Sequence, residues 1–257
     1  MFRWDVVWHF LFQDPNFIFL NAAWTTLWLS VVSQTSGVIL GLFLALMRMS
    51  RFRGLSWAAG AYIWFFRGSP LLVQVLLLWD GLPKIFPALL LPDWACILVA
   101  FSLNEGAYMA EIIRAAITSV DPGQMEAAKS LGMRYPLAMR RVVLPQAARV
   151  IVPPLGNEFN NMLKTTSIAS VIGLQELTGS AEVYGSQAFV IFELLIVATF
   201  YYLLLTTVWT YIQSWIENRL DPDRVQVKID LEDRKSLAQR LVGFGGSRSG
   251  GTLVSGR

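Results

Sequence analysis

Five long apolar stretches, separated by shorter polar connections, set the pattern of this chain. They fall at about residues 20–47, 55–79, 93–117, 149–172 and 189–216. At about 1.5 Å per helical residue, each is long enough to cross a hydrocarbon layer of roughly 30 Å. The pattern predicts an all-α fold with five membrane-spanning helices. The first, second and fifth stretches are the cleanest. The third is interrupted by Asn104, Glu105 and Glu111, and the fourth carries Asn157, Glu158, Asn160, Asn161 and Lys164. A segment at 1–19 precedes the spans and a polar tail at 219–257 follows them. Within the tail, 226–241 is expected to form a surface helix and the glycine-rich last dozen residues to be disordered. The first apolar run is too long and begins too late for a cleavable leader, so it is expected to stay as the first span.

Charge gives this pattern a direction. Arg48, Arg51 and Arg53 lie between spans one and two, and Lys129, Arg134, Arg140, Arg141 and Arg149 between spans three and four. Arg219, Arg224 and Lys228 follow span five. The remaining connections carry Asp80, Lys84 and Asp93, then Glu176 and Glu182. Lys and Arg collect on the cytoplasmic side of a membrane protein. The alternation places the amino terminus outside and the carboxyl terminus in the cytoplasm.

Composition narrows the chemistry. Charged residues make up 15% of the chain, well below the roughly 25% usual in soluble domains, and the net charge of +3 is too small to suggest nucleic acid. The single cysteine, Cys96, cannot form an intrachain disulfide, and the single histidine, His9, argues against a histidine-based catalytic or metal site. No G-x-x-x-x-G-K-[ST] run is present, so the chain is expected to be no enzyme and to need no cofactor.

The connection between spans three and four has its own signature. Asp121 suits a helix N-cap, Pro122 the first helical position and Gln124 the third, as in a capping box. Gly132 suits a left-handed residue beyond the last turn. A helix at about 122–131 follows, with Glu126, Ala127 and Ala128 on its surface, and Pro145 is expected to stop the basic segment after it. So short a helix must pack on something, either a partner's groove or the membrane surface.

Glu126-Ala127-Ala128, then Gly132, then Leu144-Pro145 resemble the EAA loop of ATP-binding cassette importer permeases. The likeness continues in order through residues 66–74, 107–114, 142–147, 153–157 and 163–173, which are similar to the polar amino acid branch of that family (histidine, glutamine and arginine permeases). The resemblance implies the MetI-like permease fold, in the bacterial inner membrane. It also implies ATPase subunits in the cytoplasm, an identical or homologous second permease, and an amino-acid-binding protein outside. Glu126, Ala127, Ala128 and Gly132 would then form the helix that couples the chain to the ATPase.

Polar groups at membrane depth are costly and usually mark a pathway or an internal pair. Arg67, Asn104, Glu105, Asn157, Glu158 and Asn161 fall near the middle of spans two, three and four. They offer a cation, carboxylates and amides, complementary to an amino acid. The other reading is a permanent pair of Arg67 with Glu105 or Glu158 that ties helices together. Pro70 is expected to kink span two, and Pro153-Pro154 to bend the entry to span four. An ion-gradient transporter or channel would explain the spans and buried charges equally well, but not the short capped helix.

Overall fold

The computed structural model describes residues 2–220, so the features expected of the tail beyond Leu220 lie outside the described residues. Internal contacts divide the chain into two units, 1–213 and 214–257, and the first holds the features that follow, apart from the end of the last helix beyond Gln213. Every regular element among the described residues is helical.

A short helix α1 (Trp4–Phe12) precedes the first long helix α2 (Ile18–Arg48). Helix α1 lies within the segment ahead of the expected spans. Its Val6 and Val7 are buried in a cluster with Phe19, Leu177, Leu194 and Val197, so this segment is packed against the bundle.

The second span is more than kinked. Helix α3 (Arg53–Gly68) ends at Gly68, helix α4 (Leu71–Leu76) begins after Pro70, and the two limbs meet at 104°. The cause is local. A residue before proline is pushed out of the helical region, and Ser69 sits at φ −108°, ψ 144°. Pro70 is itself extended, at ψ 135°, and brings no N–H to continue the ladder. A π turn at Leu77–Gly81 carries α4 into α5 (Leu82–Ile85).

Helix α6 (Asp93–Thr118) is the third span. A short helix α7 (Pro122–Ser130) follows, then α8 (Tyr135–Ala138), which runs through a π turn at Met139–Val143 into α9 (Leu144–Thr165). Pro145 does not stop the basic segment, contrary to expectation. It directly follows the π turn, whose closing bond runs from the Leu144 N–H to the Met139 carbonyl, and the helical path continues past it. Pro153 and Pro154 lie inside α9 rather than at its entry. After Thr165 the chain tightens into a 3-10 helix, Thr166–Ile172, and then forms α10 (Leu177–Ala188) and α11 (Ile191–Leu220). The buried Glu176 caps α10, accepting from the Gly179 amide at 2.8 Å and from the Tyr202 hydroxyl at 2.5 Å. Burial pushes the Glu176 carboxyl above the usual carboxylate range.

Among the described residues, α2, α6 and α11 are each long and apolar enough to cross a membrane, and the bent pair makes a fourth crossing only if counted as one span. Helix α9 falls outside that set. Its 22 residues are long enough, but Arg149, Glu158, Lys164 and three asparagines make it too polar.

Helices α2 and α6 approach most closely. A Cβ placed on Gly41 would collide with Met109 Cβ and lie 2.9 Å from the Ala110 backbone nitrogen. A Cβ on Gly106 would lie 2.7 Å from a Leu40 methyl. Small residues at such a crossing let two backbones meet, which is the main source of helix association where lipid is as apolar as leucine. Because the obstacle at Gly41 is backbone, Gly41→Val should force the helices apart and cost about 1–3 kcal/mol, as overpacking does. Thermal unfolding of the purified protein in detergent should show the lowered midpoint, with a wild-type midpoint counting against this packing.

Candidate functional site

Two places gather the residues singled out in the sequence. The first is α7. Asp121 caps it as expected, its Oδ1 accepting from the Gly123 amide at 2.7 Å. The reciprocal half of the capping box is absent, because the Gln124 side chain instead accepts from Gln146 Nε2 at 3.3 Å. Gly132 closes the other end at φ +78°. Its N–H reaches the Lys129 carbonyl at 2.9 Å and the Met133 N–H reaches Ala128 at 3.1 Å, the paired bonds of a Schellman motif.

The two faces of α7 differ. Ala128 is 4% exposed, and Met125 packs on a cluster formed by Met109, Ile113, Ile117 and Val143. Glu126, Ala127 and Lys129 face outward. This corrects the expectation that all three residues of the Glu-Ala-Ala run form the surface. Ala128 belongs to the seat of the helix, where a larger side chain would lift it off. Gly132 and the large apolar Leu131, 80% exposed, extend the outward face.

The second place is a cavity of about 390 Å³ between α4, α6, α9 and the 3-10 turn. Its lining includes Asn104, Glu105, Glu158 and Asn161, four of the six residues proposed from their depth. Tyr108 and Thr165 add hydroxyls, and Leu71, Met162 and Ile168 add apolar surface. Glu105 is 5% exposed, and its Oε1 has no protein hydrogen-bond partner. The lining thus holds two carboxylates and two amides with no cationic side chain.

The other two proposed residues lie elsewhere. Arg67, in the last turn of α3, is exposed and holds its guanidinium 5.3 Å from the centre of the Tyr108 ring, a cation–π contact with the far side of a cavity residue. Among the described residues it makes no ion pair with Glu105 or Glu158, so the expected interhelical pair is absent. Asn157 is exposed, and its Oδ1 accepts from Gln213 Nε2 at 3.3 Å.

Reasoning by depth alone misses Tyr108 and Thr165. Helical spacing is the signal that finds them. Asn104 and Tyr108 are one turn apart on α6, and Glu158, Asn161, Met162 and Thr165 follow the i, i+3, i+4, i+7 rule of a single helical face. Asn157, four residues before Asn161, satisfies the spacing as well, but it sits at the edge of that face and is outside the lining.

The cap of α7 is open to a direct check. Asp121→Ala removes the side-chain acceptor that serves its first turn and should cost about 1 kcal/mol locally. Hydrogen exchange should quicken at residues 123–126 and stay unchanged in α6, and equal exchange would show that the cap is not what holds the turn.

Comparison with known proteins adds an independent line. Residues 37–222 match the family described as the binding-protein-dependent transport system inner membrane component. The chain is 40% identical over 205 residues to a probable amino-acid ABC transporter permease protein of Vibrio harveyi, covering 79% of this chain and 92% of that one. It is 38% identical over 238 residues to an arginine transport system permease protein of Corynebacterium glutamicum, covering 86% and 72% respectively. A solved crystal structure of an amino acid ABC transporter with histidines superposes at a TM-score of 0.75 and 43% identity, over 79% of this chain and 94% of that chain.

Proposed function

Since the chain belongs to the family of binding-protein-dependent transport system inner membrane components, multi-pass permease subunits whose ATPase activity lies on a separate polypeptide, we propose that its cargo is a polar amino acid passing through the cavity of Asn104, Glu105, Glu158 and Asn161. The carrying observation is the cavity itself. Its volume, about 390 Å³, falls within the roughly 300–1,000 Å³ usual for small-molecule sites. Two carboxylates can receive an ammonium, and the Asn161 amide carries both a donor and an acceptor for a zwitterion. The similarity to permeases named for arginine and for amino acids supports the same cargo class.

Coupling is assigned to the outward face of α7. Glu126 and Ala127 meet a groove on the ATPase subunit, while Met125 and Ala128 hold the helix to the bundle. Closed caps at both ends let so short a helix transmit a push without fraying. The remaining partners are a second permease, identical or homologous, and a binding protein delivering cargo from outside. The charge alternation of the connections supports an inner-membrane orientation with the amino terminus outside and the carboxyl terminus in the cytoplasm.

The test is uptake by the complex of this chain with its ATPase and binding protein in proteoliposomes, using radiolabelled L-arginine, L-histidine and L-glutamine. ATP-dependent accumulation of at least one is expected, and accumulation without any ATPase would overturn the coupled mechanism. Glu126→Lys reverses the sign of the docking contact. It should leave membrane insertion intact and lower uptake tenfold or more while ATP hydrolysis continues, and full uptake in that variant would remove α7 from the coupling role.

A further inference from the structure

The break between α3 and α4 frees backbone carbonyls that no helical N–H reaches, and one side chain reaches two of them, those of Phe66 and Ser69. Gln74 is 4% exposed. Its Nε2 donates to the Phe66 carbonyl at 3.0 Å, the Ser69 carbonyl at 3.1 Å and the Ser69 hydroxyl at 2.9 Å. Asn104, across on α6, donates from Nδ2 to the same Phe66 carbonyl at 3.0 Å and to Gln74 Oε1 at 3.1 Å.

The direction of these bonds is chemically forced. A backbone carbonyl only accepts, so the amide nitrogen of Gln74 must face Phe66 and Ser69. Its oxygen must then face Asn104, which answers with its own nitrogen. Both Nδ2 hydrogens of Asn104 are thereby used, one on Phe66 and one on Gln74. What remains is Oδ1, on a residue that lines the cavity. An amide able to offer either a donor or an acceptor is held to the acceptor alone.

We propose that Gln74 is a positioning residue that, together with the Phe66 carbonyl, locks the Asn104 amide with its oxygen toward the cavity, so that this wall recognises cargo through an N–H donor. The proposal rests on the reading of the cavity as the cargo site. Gln74 itself stays out of the lining. It acts through Asn104, and beside Glu105 and Glu158 the locked oxygen makes that wall one of acceptors. A cargo group that accepts only, such as a carboxylate, finds no donor on Asn104. The same network spans the 104° break, so the orientation of the amide and the angle of the limbs are set together.

Orientation and mere stapling make opposite predictions in a double-mutant cycle. Asn104→Asp has an oxygen at both ends of the group, so it presents an acceptor whichever way it turns and no longer needs Gln74. The assembled complex in nanodiscs is titrated with radiolabelled L-arginine, L-histidine and L-glutamine, and the best-bound probe is followed. Gln74→Leu should weaken its binding tenfold or more in the wild-type background and less than twofold in the Asn104→Asp background. An equal loss in both backgrounds would show that Gln74 only staples the break and would overturn the proposal. If Gln74→Leu prevents assembly, Gln74→Met, closer in length to glutamine, replaces it in both backgrounds and is judged by the same two outcomes. Wild-type complex that binds none of the probes would overturn the cargo-site reading and this proposal with it. Wild-type binding that Gln74→Leu leaves unchanged would overturn this proposal alone.

Discussion

A carbonyl freed inside an apolar layer has no water to turn to, and the architecture around residues 66–74 follows from that constraint. An unsatisfied backbone group at membrane depth costs several kcal/mol, so irregular chain survives there only where protein supplies partners. Pro70 makes the break unavoidable by removing an N–H and pushing Ser69 into an extended conformation. Gln74 answers it by donating to the Phe66 and Ser69 carbonyls, and Asn104, from α6, by donating to the Phe66 carbonyl and to Gln74 Oε1. The third span is thereby tied to the second at the depth where the cavity opens.

Helices α2 and α6 meet closely through Gly41 and Gly106, and Gly37 of α2 leaves the room that the Glu105 side chain fills. The α1 segment and α10 close a separate cluster around Phe19, Leu177 and Leu194. Of the residues singled out by motif or depth, Asn104, Glu105, Glu158 and Asn161 gather on the cavity wall and Glu126 and Ala127 on the outer face of α7. These are the two places where a transport subunit must meet something other than itself.

Much of this is legible in the amino-acid sequence. The long helices follow from apolar length, the cap of α7 from Asp121 and Pro122, and its left-handed end from Gly132. Depth along the spans finds four cavity residues. Other features escape the pattern, each for a physical reason. Depth fixes how far along a helix a residue sits but not which way it faces, so it groups Arg67 and Asn157 with residues whose side they do not share. Ala128 reads as surface because alanine fits either environment. Pro145 reads as a stop because the pattern does not show the π turn ahead of it, past which the helical path continues. The fourth stretch carries Glu158 and Asn161 on the cavity and Arg149, Asn157, Asn160 and Lys164 outside its lining, and together they remove it from a count by hydropathy.

The division of α7 into a seated half and an outward half has an evolutionary corollary. Met125 and Ala128 answer to the chain's own core, so their identities are inherited with the fold. On the proposed coupling role, Glu126, Ala127 and Lys129 answer to another gene product and are free to drift in step with it. A permease of this build can be re-paired with a different motor by exchanging a few outward letters, leaving its pathway for cargo untouched.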